Sequence, residues 1–83
     1  MLGEEGNMLE QLREVAGQPG PAAKLANDML VFYDEYTSGH LSKEEYEYLL
    51  NEIADIRAQQ ELASDEIALR WVVAAAKGLM SLA

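Results

Sequence analysis

The segment from Ile67 to Ala83 is nearly continuous apolar sequence, interrupted only by Arg70, Lys77, Gly78 and Ser81. On a helical wheel Glu66, Arg70, Lys77 and Ser81 share one narrow sector. Ile67, Trp71, Val72, Ala74, Ala75, Leu79 and Leu82 cover most of the rest. A surface helix carries one apolar stripe, whereas a helix that is apolar around most of its circumference is central, interfacial or in a membrane. A membrane span needs about 20 apolar residues. This stretch is shorter and holds two cations, so no span is expected. Burial against the chain's own helices and burial against other subunits both stay open. On the second reading Ile67, Trp71, Ala74, Ala75, Leu79 and Leu82 are the interface candidates. The Ala74-Ala75-Ala76 run permits close helix approach in either case, and Gly78 marks a close crossing or a fraying end.

Eighty-three residues make one domain with a limited core. Small domains supplement such a core with disulfides, a metal or self-association. Cysteine is absent, and His40 is the one histidine, so disulfides, thiolate sites and multi-histidine sites within one chain are excluded. Association is the supplement to expect. Fifteen acidic against six basic residues give a formal charge of −9. That balance argues against direct binding to a phosphate backbone, which needs clustered Lys and Arg. It is compatible with an acidic inhibitor or nucleic-acid mimic that occupies a basic protein. Met1 to Gly6 lacks the basic and apolar regions of a secretory signal. The expected location is the cytoplasm, or an assembly formed there such as a virion.

Ala, Leu and Glu dominate, and no stretch alternates with period two, so the expected fold is all-α. It is a bundle of three to four helices around a central helical hairpin. Residues 1–20 read as a short N-terminal helix and a Pro/Gly turn; 21–83 read as the hairpin plus the apolar C-terminal helix, all one domain. The first helix is expected over Met8 to Ala16, capped by Asn7, with Met8, Leu9, Leu12, Val15 and Ala16 on one face. Gly17-Gln18-Pro19-Gly20-Pro21 ends it, and Pro21 suits the first turn of the next helix. That helix should reach about Thr37, with Leu25, Met29, Phe32 and Tyr36 as its stripe, Ala22 and Tyr33 alongside, and Gly39 as its stop.

Ser42-Lys43-Glu44-Glu45 has the form of a capping box, and Leu41 and Tyr46 stand where a hydrophobic staple would sit. The following helix places Tyr46, Leu49, Leu50, Ile53, Ile56 and Gln60 on one face. The hairpin is expected to bury Leu25, Met29, Phe32 and Tyr36 against Tyr46, Leu49, Ile53 and Ile56. No Pro or Gly separates Ser42 from Lys77, so the helix could run on unbroken. Leu62 falls off the stripe, which favours a break at residues 62 to 64, where Ser64-Asp65-Glu66 could cap a new helix.

Two local patterns carry resemblances. Asp34 to Glu45 resembles a degenerate EF-hand loop: Asp34 falls at the first position, Ser38 at the fifth, Gly39 at the glycine position, and Glu45 at the bidentate twelfth. Tyr36 departs from it, because the third position normally carries Asp or Asn. The resemblance implies calcium held by Asp34, Ser38 and Glu45. The alternative needs no metal: Gly39 is a C-cap, and Glu45 closes a capping box, which would occupy the carboxylate calcium needs. Tyr33 to Ile53, with the pattern Tyr-x-x-Gly-x-Leu-Ser-Lys-Glu-Glu-Tyr-x-x-Leu-Leu, resembles SHOCT-type helical hairpins. Those serve as oligomerising or interaction appendages, and similar hairpins occur in small phage proteins. The resemblance implies an interaction role.

No catalysis is expected. The chain has no cysteine nucleophile, P-loop or dinucleotide glycine motif. Ser38 and Ser42 flank His40 in a turn that needs all three for structure. The sequence thus reads as a structural or adaptor subunit that associates with itself and with other protein subunits, and the hairpin resemblance extends this to a component of a phage particle or its assembly machinery. An acidic inhibitor and a calcium-binding module are the alternatives.

Overall fold

Glycine and proline punctuate the first two helix boundaries, and a Ser/Asp stretch marks the third. The computed structural model describes residues 4–83, with side chains from residue 7 onward. Helix α1 is Glu4–Ala16 and α2 is Pro21–Thr37. A third rod follows as α3 (Lys43–Glu52), a π-helical segment (Ile53–Arg57) and α4 (Ala58–Glu61). Helix α5 is Glu66–Leu82. No strand occurs among the described residues, and the chain is a small all-α bundle.

Helix α1 starts earlier than expected. Asn7 lies inside it and is not its cap. Glu4 and Glu5 have high helix propensity and extend the helix by one turn. At its other end the Gly17 amide donates to the Arg13 and Glu14 carbonyls. Gly20 then adopts φ 111° and ψ 172° to turn the chain into Pro21, the first residue of α2.

The α2 stop is a Schellman turn around Gly39, at φ 86°. The His40 amide donates to the Glu35 carbonyl at 2.8 Å, and the Gly39 amide to Tyr36 at 3.1 Å. Three residues later the capping box forms as expected: the Glu45 amide donates to Ser42 Oγ at 3.1 Å, and the Ser42 amide to Glu45 Oε1 at 2.8 Å. Both turn glycines hold conformations that a Cβ strains. Gly39→Ala is expected to destabilise by about 1–2 kcal/mol, and Gly20→Ala by about 1–3 kcal/mol. Urea titration checks both, and a neutral Gly39→Ala would overturn the turn assignment.

The third rod departs from the expected stripe. Tyr46, Leu50, Ile53, Ala54, Ala58 and Leu62 are buried, whereas Ile56 is half exposed, Gln60 is exposed and Leu49 is half-buried. The cause is the π turn, in which the Ala58 amide donates to Ile53 rather than to Ala54. Buried positions 46, 50, 54, 58 and 62 recur every four residues. In an α-helix each such step turns the face by about 40°, so four steps would carry it about 160° around. The extra residue of the π turn takes back about 100°, which keeps the row facing the core.

The rod ends at Leu62, and the Asp65 carboxylate caps α5 by accepting from the Ala68 amide at 3.1 Å. The break therefore falls at residues 62 to 65.

One core joins all the helices. Leu9 and Leu12 of α1, Leu25, Ala26 and Met29 of α2, the inward row of the third rod, and Val72, Ala75, Ala76 and Leu79 of α5 form a continuous buried cluster. Ala23 is buried too, while Phe32 and Tyr36 are half-buried. Tyr36 stacks on Tyr46 with centroids 4.4 Å apart and planes 3° apart, which pins the hairpin at its turn end. Arg57, the last residue of the π turn, bridges to Asp28 of α2 at 2.6 Å and to Glu61 at 3.5 Å. Burial alone would lower the Arg57 pKa. The hydrogen bond and charge of Asp28, with Glu61 adding to them, outweigh it, and the net direction is upward. The stability from this cation is therefore present below the ordinary guanidinium pKa and is lost only as pH rises past the elevated value.

Candidate interaction face

Ile67, Trp71 and Ala74 stand at helical spacing on one side of α5. Ile67 is 83% exposed, Ala74 is exposed and Trp71 is half-buried. The neighbouring wall comes from α1. At Gly78 the end of the Met8 side chain occupies the space a Cβ would take, and α1 and α5 are in contact.

Two shallow grooves flank Trp71. One runs between α1 and α5 and is lined by Asn7, Met8, Gln11, Trp71, Ala74 and Ala75. The other opens where the turn after α1 meets the start of α5, and is lined by Val15, Gln18, Ala22, Asp65, Ile67, Ala68 and Trp71. Asp65, the α5 cap, is the one charged residue in either lining. In a chain of net charge −9 these two linings are poor in charge, with the exposed Glu66–Arg70 pair at their edge.

The six interface candidates divide. Ile67, Trp71 and Ala74 lie together on this face, and Leu82, 39% exposed, is at the C-terminal end of α5. Ala75 and Leu79 are 7% and 1% exposed and belong to the chain's own core. The α1 contributions, Met8, Gln11 and Val15, are not among those candidates. The apolar spacing of Met8 and Val15 is legible in the sequence, whereas Gln11 carries no such signal, and nothing local says which side of α5 they flank.

The calcium-loop residues are not gathered into a ligand set. Asp34 and Tyr36 are still within α2, so the loop of the resemblance begins inside a helix. Ser38 Oγ donates to the Asp34 carbonyl at 2.6 Å, and the Glu45 carboxylate is held by the Ser42 amide. No group of three or more His, Cys, Asp or Glu side chains converges on a metal position among the described residues. His40 is exposed at the end of the turn. No helix among the described residues is long and apolar enough to cross a membrane.

No protein-family model matches the chain, and neither curated proteins nor solved structures give a match. The hairpin and calcium-loop resemblances therefore rest on their own residues.

Proposed function

We propose that this protein is a non-catalytic association module that self-assembles through the α1/α5 face, as a structural or adaptor subunit. The observation that carries the reading is an 83%-exposed Ile67 beside two grooves whose linings hold one charged residue, Asp65, in a strongly acidic chain. Two copies meeting through acidic stretches of surface would bring like charges together. On this face they bury Ile67, the edge of Trp71 and small side chains, with little repulsion to offset. The hairpin resemblance extends the proposal to a subunit of a larger assembly, such as a phage particle.

Ile67→Asp tests it. The position is exposed and in the first turn of α5, where a carboxylate complements the helix dipole. The fold is expected to keep or gain stability while association is lost. Burial of one Ile is worth about 1.5–3 kcal/mol, so a symmetric pair should weaken at least about a hundredfold. Light scattering should give a multiple of 9.2 kDa for the parent chain and 9.2 kDa for the variant. A parent chain that stays monomeric at high concentration would refute the proposal.

A further inference from the structure

The outward side of α3 is built differently. Tyr48 is 67% exposed and lies diametrically opposite the buried Tyr46 and Leu50. It is shared by two adjoining shallow grooves. Leu41, Glu44, Glu45 and Leu49 line one; Asn51, Glu52, Asp55 and Ile56 line the other. Tyr48, Leu49 and the half-exposed Ile56 provide an apolar row, and Glu44, Glu45, Glu52 and Asp55 provide four carboxylates along it. Neither lining contains Lys, Arg or His. Among the described residues no cation of the chain forms an ion pair with Glu44, Glu52 or Asp55.

We propose that this face docks a basic amphipathic segment of another protein, with apolar side chains seated beside Tyr48 and Ile56 and Lys or Arg over the flanking carboxylates. Charge complementarity selects the occupant. A second copy of the chain carries the same −9 and has six basic residues, two of which, Arg57 and Arg70, are already ion-paired. Nucleic acid is repelled by the same carboxylates. The apolar row separates this site from a merely acidic surface, because a purely cationic ligand would leave Tyr48 and Ile56 uncovered. Tyrosine is also among the side chains that anchor interfaces. The two grooves share no residue with the α1/α5 face, so the proposal stands apart from self-assembly.

The test is titration of the full ¹⁵N-labelled chain with a synthetic Leu/Lys amphipathic helical peptide, followed by NMR. A Gly/Lys peptide of equal charge serves as the reference. The expected result is shift changes centred on residues 41–56. The Leu/Lys peptide should bind at least about tenfold more tightly than the Gly/Lys peptide and weaken as salt rises. Tyr48→Ala and Glu52→Lys should each lower that affinity at least about tenfold. Tyr48 is exposed and Glu52 half-buried, neither in the core, and unchanged amide spectra elsewhere verify the fold. Equal affinity for both peptides, no loss with Tyr48→Ala, or shifts centred on α1 and α5 would each overturn the proposal.

Discussion

Leu50→Ala is expected to lower the unfolding free energy by about 2–5 kcal/mol. Leu50 is fully buried in α3, in the cluster that joins α2, α5 and the third rod. Truncation removes its transfer energy and leaves a cavity that the helices close only in part. A domain of this length has a stability on the order of 4–12 kcal/mol, so one substitution removes a large share of it. Leu49→Ala, at the half-buried neighbour, should cost less than half as much. Urea titration by circular dichroism at one fixed protein concentration compares the pair, since association would add to apparent stability. Equal losses would mean that α3 presents a different face to the core.

Deleting one residue should have opposite consequences in two helices. Removal of Ile56 turns the π segment into regular α-helix and leaves Ala58 and Leu62 near their present facing. Its expected effect on stability is within about 1 kcal/mol, because an extra residue is lost from a place that accommodates one. Removal of Ala74, equally exposed but within the regular α5, rotates everything beyond it by about 100°. Ala75, Ala76 and Leu79 then leave the core, and the expected loss exceeds about 5 kcal/mol. Thermal melts distinguish the two directly. A deletion at 56 as damaging as the one at 74 would contradict the π-turn account of the buried row.

Helix ends were legible in the sequence because their physics is local. Pro21 and Gly20, Gly39, the Ser42–Glu45 box and the Asp65 cap each act over a few residues, and each stands where its residue type suggests. The same locality misplaced the start of α1. Asn7 is a good cap only if nothing before it is helical, and the preceding residues continue the helix. The candidate site was half legible. Ile67, Trp71 and Ala74 could be named from the wheel, but α5 is apolar on nearly every side, so the wheel could not separate Ala75 and Leu79 from them.

An all-α chain, most of its breaks, and the largely apolar character of its last helix are already written in local residue patterns. These follow from propensity, capping and the absence of β-patterned stretches. The phase of the third rod and the allegiance of each apolar face come instead from packing. The π turn keeps Ala54, Ala58 and Leu62 together in the shared core, a row that a regular helix would carry out of it. Likewise, α1 packs beside α5 with the Met8 side chain over Gly78, while Ile67 stays 83% exposed. Such outcomes depend on which surfaces meet, and that is a property of the packed assembly of helices rather than of any one stretch of residues.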